Sequence, residues 1–315
     1  MNNLKPQAAI MAWACPRCKQ PLMSIEGLLG CVTCKESYRY ADGGIPCLLP
    51  SESEDEHKAE KDSVRQMFTA FNQALADNGV SRFSAFINWG YAEAQDQTAG
   101  NSTGGVNEQS LKLLREIMDG IEVQGKDVLE IACGRGGNIR ALCKSYRPRI
   151  VAGLDLTEAN VAFCHSSNRY ENAFFCIGDA EALPVSDECF DLVLNIEASD
   201  LYPQINRFYD EVFRVLKPGG LFVYADDLHV NKFDEGIRYL ESLGFEAIIK
   251  RDISQHVLLA SDLSRKNRLV ALDGALEDEG AIKWTMGVPG TPLYDDMRTG
   301  KRKYQILHLY KKTSI

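Results

Sequence analysis

The chain has 315 residues, 45% of them hydrophobic and 25% charged, enough to bury a sizeable core in one large domain with room for a small appendage. Its formal net charge of -9 argues against a large sequence-independent affinity for a phosphate backbone, and the balance leans towards a small-molecule partner, although "RTGKRK" (Arg298 to Lys303) is a local basic run. No apolar stretch approaches the roughly 18 residues of a membrane span, and the first residues lack a basic start followed by a long apolar segment, so a cytoplasmic location is expected.

The cysteines divide by position. Cys133, Cys143, Cys164, Cys176 and Cys189 are scattered through apolar segments and read as small buried side chains. Cys15, Cys18, Cys31 and Cys34 instead form two CxxC pairs within "CPRCKQPLMSIEGLLGCVTC", the spacing of a zinc ribbon, in which two tight knuckles supply four thiolates to one closed tetrahedral site. A module of about 50 residues has too little core to stand alone, so a structural metal makes physical sense. Cys47, in "DGGIPCLLP", has no partner at matching spacing and is assigned to packing.

The chain therefore opens with a ribbon over residues 1–50. An acidic linker over 51–62, "SESEDEHKAEKD", lacks aliphatic and aromatic side chains. From 63 to 120 the pattern is helical. Val64, Met67, Phe68, Phe71 and Leu75 recur at amphipathic spacing, "FINWGY" follows, then a polar loop, then "SLKLLREIMDGI". From Lys126 strand, glycine turn and helix alternate, predicting an α/β fold with a mostly parallel sheet covered by helices. Strands are expected at "DVLEIA", "IVAGLD", "AFFCI", "FDLVLNI" and "GLFVYAD", a sixth at "FEAIIKRDI", an insertion over about 253–300, and a last strand at "RKYQILHLYKK".

"VLEIACGRGGN" is a strand ending in a glycine turn that opens a helix, which presents backbone N–H groups to a ligand at the sheet's C-terminal edge. Gly134 and Gly136 fit a GxG, but Ile139 stands where a dinucleotide fingerprint has its third glycine. The second strand ends in Asp155, placed to accept from ribose hydroxyls, and Asp179 in "GDAEALP" can accept from an exocyclic adenine amine. An adenosine moiety other than a nicotinamide dinucleotide is expected.

In order and spacing, "LEIACGRGGN", "GLDLT", "GDAEALPVSDECFDLVLN" and "VLKPGGLFVYAD" resemble the motifs of class I S-adenosylmethionine-dependent methyltransferases. "LNIEASDLYPQINRFYDEVFRVLKPGGLFVYADD", "FINWGY" and "VPGTPLYDDMRTGKRKYQILHLYKK" are similar to the branch containing the phthiotriol dimycocerosate and related natural-product O-methyltransferases. The resemblance implies a Rossmann-like, doubly wound, seven-stranded sheet and methyl transfer from S-adenosyl-L-methionine to a small-molecule acceptor, a hydroxyl of a secondary metabolite or lipid-like compound. It also implies cofactor contacts. Glu130, Ala132, Gly134, Gly136 and Asn138 would hold the amino acid portion, Asp155 and Leu156 the ribose, and Asp179 with Ala180 the adenine, with Asn195 alongside and Asn88 and Tyr91 closing over.

Two alternatives stay open at this point. Cysteine knuckles before such a domain also resemble ribosomal or transfer RNA base methyltransferases, and a zinc-ribbon interaction protein with a degenerate methyltransferase fold is the third reading. The ribbon is expected to serve architecture, substrate enclosure, or a partner, including a second copy of the chain. Where the related branch carries histidine, in "EASHxYP", this chain has Asp200, which reads as the base for a hydroxyl, as a positioning acceptor or as a loop cap. An aspartate near pKa 3.9 is a weak base for a phenol, so His229, after the fifth strand, is the other candidate. Glu197 is assigned to structure or to orienting neighbours, with a catalytic role as the alternative.

Overall fold

The computed structural model describes residues 13–50, 56–98, 107–271 and 287–313. The N-terminal end of the ribbon, the first part of the acidic linker, much of the polar loop and the middle of the expected insertion lie outside the described residues.

Strands β6 (Asp127–Ile131), β7 (Ile150–Asp155) and β8 (Ala173–Gly178) are buried at every position, as expected of parallel strands covered on both faces. With β9 (Phe190–Ile196) and β10 (Leu216–His229) they form the parallel run β8-β7-β6-β9-β10. Two antiparallel strands finish that side, β12 (Arg302–Lys311) against β10 and β11 (Phe245–Asp252) at the edge. The chain leaves β6 for β7 on one side and has β9 on the other, so the strand order reverses there and a crevice opens at the strands' C-terminal ends.

The expected seven strands are all present, and the sheet continues beyond them. β5 (Ile45–Leu48) pairs parallel with β8 through Cys47↔Ile177 and Leu48↔Gly178, and β4 (Tyr40–Ala41) pairs antiparallel with β5, making nine strands. Both belong to the segment assigned by sequence to the ribbon. The cause is the apolar run "IPCLL": Ile45 and Leu48 are buried, Cys47 packs against the same core, and the strand covers an edge of β8 that would otherwise stand open. The rest of the module is a small antiparallel sheet, β1 (Met23–Ile25), β2 (Leu28–Gly30) and β3 (Ser37–Tyr38).

Each face of the sheet has its own apolar cluster. One is closed by α3 (Glu108–Ile117), α4 (Gly137–Ala141), α5 (Glu158–Ser167), α8 (Ser254–Ala271) and α9 (Pro292–Arg298), the last two built from the expected insertion. The other is closed by α6 (Ile205–Val215), α7 (Val230–Leu243) and the ribbon, whose Cys15, Cys31 and Tyr38 pack into it. Helix α1 (Lys58–Asp77) begins inside the acidic run read as linker, and its Phe71 and Leu75 pack with Met67, Phe68, Val80 and Ile87 in a separate small cluster. A short helix, α2 (Ala94–Thr98), leads into the polar loop.

Candidate active site

A cleft with about 940 Å³ of empty space, its open mouth included, follows the C-terminal ends of β6 to β9, roofed by α1 and the segment from Ala85 to Asn88. Of the residues singled out by sequence, Asn88, Glu130, Ala132, Gly134, Asn138, Asp155, Leu156, Asp179 and Ala180 line it. Gly136, Asn195 and Tyr91 are not among the lining residues. Gly136 lies behind the turn, at φ 76°, where an added Cβ would come 2.3 Å from Cys164 Sγ. Asn195 Nδ2 donates to Ile131 O at 3.1 Å and to Tyr202 Oη at 2.9 Å, tying β9 to β6 beneath the floor. Tyr91 stacks on His256 with ring centroids 4.5 Å apart.

The glycine turn offers the ligand room more than donors. Gly134 N–H donates to Asp155 Oδ2 at 2.9 Å, Gly136 N–H to Cys133 O at 2.9 Å and Gly137 N–H to Ala85 O at 3.0 Å, so these amides are used internally, contrary to the expected cradle. At Gly134 a Cβ would meet only Ile87 Cδ1, at 3.7 Å, whereas at Gly137 it would come 2.6 Å from the Phe86 ring, so the second position enforces close packing of roof on turn.

Glu130 is buried, and its Oε1 accepts from Asn138 Nδ2 at 2.8 Å while Oε2 is buried without a hydrogen-bond partner. Burial pushes its carboxyl up to about 8. Such an orphaned oxygen on the cavity wall matches a cationic amino group. Asp155 accepts from Gly134 N–H, Thr157 N–H and Asn160 Nδ2, which fixes its carboxylate at the end of β7. Asp179 Oδ1 accepts from Glu181 N–H at 2.8 Å, and its Oδ2 lies 2.7 Å from Lys61 Nζ, which also lies 2.9 Å from Glu181 Oε2. Burial alone would lower the Lys61 pKa; the Asp179 and Glu181 carboxylates outweigh it and raise it. Sequence reasoning missed Lys61, since nothing in an acidic run marks which lysine turns inward.

Arg135, the non-glycine of "GRGG", is 1% exposed. Its guanidinium donates to Ser84 O, Ser81 O, Ser81 Oγ and Asn72 Oδ1 and lies 3.5 Å from the centroid of the Phe163 ring. It therefore fastens α1 and the Ser81 to Ser84 turn to the glycine turn after β6.

A second cavity of about 520 Å³ shares Phe68, Ile87, Asn88, Glu197, Ala198 and Leu201 with the first and adds Asp200, Asp226, Asp227, Leu293 and Arg302. Asp200 Oδ1 lies 2.8 Å from Lys232 Nζ and Oδ2 2.9 Å from Arg302 Nη2. Burial would raise its pKa, but Lys232 and Arg302 prevail and hold it below the usual carboxylate range. These ion pairs make it a poorer base than an ordinary aspartate. His229 is exposed and lines neither cavity.

Glu197 was read from sequence as an orienting group. It stands at φ 54°, in the left-handed region that non-glycine residues rarely occupy. Its Oε2 accepts from Trp89 N–H at 2.9 Å and its Oε1 from Tyr304 Oη at 2.7 Å, and burial drives its carboxyl well above the usual range. Burial, with the Asp226 charge beside it, also pushes Asp227 up to about 8.

The four ribbon sulfurs, of Cys15, Cys18, Cys31 and Cys34, all lie within 4.8 Å of one another. The two knuckles repeat one geometry. Cys15 N–H donates to Gln20 O and Lys19 N–H to Cys15 O; Cys31 N–H donates to Glu36 O and Lys35 N–H to Cys31 O. Lys19 at φ 63° and Lys35 at φ 62° both take left-handed backbone to close their loops. Four soft ligands held this way suit a tetrahedral zinc.

The Methyltransferase domain family matches residues 129–224. The chain is 34% identical over 226 residues to the phthiotriol/phenolphthiotriol dimycocerosates methyltransferase of Mycobacterium tuberculosis, covering 70% of this chain and 83% of that protein. It is 33% identical over 256 residues to the fatty-acid O-methyltransferase of Mycolicibacterium smegmatis, covering 79% and 90%. Among solved structures, the cyclase SpnF superposes with a TM-score of 0.67 at 18% identity, covering 81% of this chain and 97% of that one. Geranyl diphosphate C-methyltransferase from Streptomyces coelicolor superposes with a TM-score of 0.61 at 14% identity, covering 80% and 98%. With identity above 30% across most of the relatives' length, the chain belongs to the class I S-adenosylmethionine-dependent methyltransferases, in the branch of the phthiotriol/phenolphthiotriol dimycocerosates methyltransferases.

Proposed function

We propose that this enzyme methylates a hydroxyl oxygen on a lipid-like or other natural-product acceptor, seated in the second cavity. The observation that carries the reading is the lining of that cavity. It shares Glu197 with the first cavity and combines apolar Phe68, Ile87, Leu201 and Leu293 with polar Asp200, Asp227 and Arg302. An alkyl or aromatic body would lie on the apolar residues with its polar end on the polar ones. The acceptor named for the first relative, a phthiotriol lipid, has that character.

S-Adenosylmethionine supplies a methyl group already activated on sulfur, so the protein's work is alignment. In this reading the free Oε2 of Glu130 binds the amino end, Asp155 the ribose hydroxyls, and Asp179 with Ala180 the adenine edge, while Asn88 and the roof exclude water. Asp200, clamped between Lys232 and Arg302, positions the acceptor's polar end.

The Cys15, Cys18, Cys31 and Cys34 site is proposed to hold structural zinc, with residues 1–50 as the ribbon module, 51–62 joining it to the catalytic domain, and 63–315 as that domain. The reading as an RNA enzyme finds no support in the basic run. Arg298 pairs with Asp295, Lys301 with Asp296, Arg302 with Asp200 and Asp227, and Lys303 with Asp252. Among the described residues no helix is long and apolar enough to cross a membrane.

The test is incubation with methyl-labelled S-adenosylmethionine against a lipid and metabolite extract of the host and, separately, against total RNA. Label in the organic extract is expected. Label confined to RNA would overturn the reading.

A further inference from the structure

Methyl transfer to a hydroxyl needs a group to take the proton, and the two residues suggested by sequence are poorly placed for it. His229 lies outside both cavities, and Asp200 is held by two cations. We infer that Glu197 takes the acceptor's proton. The inference rests on reading the two cavities as cofactor and acceptor sites.

Position is the first argument. Glu197, unlike Asp200, Asp226 and Asp227, borders both cavities, so it stands where a methyl group must cross. Its hydrogen-bond partners are neutral: the Trp89 amide and the Tyr304 hydroxyl fix the carboxylate without quenching it. The left-handed backbone of Glu197 is the strained local choice that delivers its side chain to the junction.

The chamber carries independent signs of a polar ligand. Asn88 Oδ1 and Arg302 Nε are buried without hydrogen-bond partners, and both residues line it. The charged and titratable groups around Glu197 are Asp226 and Asp227 from β10, Tyr304 and Arg302 from β12, Arg268 from α8, and Asp200. Four carboxyl groups face this space. A hydroxyl there can donate to Glu197 and accept from Arg302.

The step balances. As the acceptor oxygen bonds the methyl carbon, the carbon–sulfur bond breaks with its electron pair left on sulfur, and the hydroxyl proton passes to the Glu197 carboxylate. One positive and one negative charge become a neutral thioether and a neutral carboxyl group. Burial raises the Glu197 pKa, and a sulfonium at the junction would favour the ionised form.

That last point gives a readout that needs no acceptor. S-Adenosylmethionine and S-adenosylhomocysteine differ at sulfur in charge and share the amino end, so titration calorimetry of each in phosphate and in Tris isolates protons released by the sulfonium. The full-length enzyme should release more protons with the first ligand than with the second. That difference should vanish in Glu197→Gln and persist in Asp200→Asn. No difference in the unmodified enzyme, or one that survives in Glu197→Gln, would overturn the proton-acceptor role.

The second arm uses label transferred to the host extract. Mild alkali frees methanol from methyl esters and leaves methyl ethers intact. Alkali-stable label, falling at least about a hundredfold in Glu197→Gln with cofactor affinity retained, is the expected result. Alkali-labile label would reveal a carboxylate acceptor and overturn the hydroxyl reading. If neither the extract nor RNA is labelled, the acceptor reading fails, while the calorimetric comparison still judges Glu197.

Discussion

Glu130 shows how one side chain sets a pH dependence. It lies under the cofactor cavity with one oxygen bonded to Asn138 and the other without a partner, and burial lifts its pKa from 4.5 to about 8. Because the folded state binds this proton more tightly than the unfolded chain does, the contribution to stability is complete at acid pH. It is lost as pH rises through about 8. Cofactor binding runs the opposite way, since an ammonium beside Oε2 needs the carboxylate and must displace the proton. Cofactor affinity, measured by calorimetry, should therefore rise between pH 6 and pH 8 and flatten above, and Glu130→Gln should remove most of the slope. A slope unchanged in the variant would show that another group controls it.

At the scale of the element, α1 is a roof held by polar bolts more than by apolar burial. Its own cluster is small, but Lys61 reaches Asp179 and Glu181, and Asn72 reaches Arg135 and Asn160. Removing one partner of a buried ion pair leaves uncompensated charge, at a cost of about 3–5 kcal/mol. Lys61→Met should accelerate amide hydrogen exchange across Lys58–Asp77 well beyond any change in β6 to β9, and should weaken cofactor binding. Uniform acceleration would mean instead that α1 opens only with the whole domain. None of this was legible in "SESEDEHKAEKD", where a solvated lysine and a buried one look alike. The strands were legible because burial on both faces writes mostly apolar runs into "DVLEI", "IVAGLD" and "AFFCIG", and the ends of those runs located Glu130, Asp155 and Asp179. Glu197 and Asp200 were visible as two acids closing a strand. Their roles depend on Lys232, Arg302, Trp89 and Tyr304, which reach them from distant parts of the chain, and pair spacing carries no record of that.

For the whole molecule, the question is whether the ribbon is a passenger or part of the frame. The four-cysteine cluster was plain from spacing, but not that the segment after it, Ile45–Leu48, completes the large sheet. Other contacts extend the joint. Ala14 N–H donates to Pro184 O at 2.8 Å, Lys19 Nζ lies 2.7 Å from Glu211 on α6, and Cys15, Cys31 and Tyr38 share a core with Phe208 and Leu216. A module joined by backbone pairing and a common core should unfold together with its neighbour, and a metal bound only by the folded state adds its binding energy to both. Removing zinc with a strong chelator under reducing conditions, or replacing Cys31 by Ser, should therefore lower the melting temperature of one cooperative transition. Circular dichroism of the helices and fluorescence of Trp13 and Trp89 should follow it together. Two separate transitions, with the helical one unmoved by chelation, would show that the ribbon is an independent domain that only rests against the sheet.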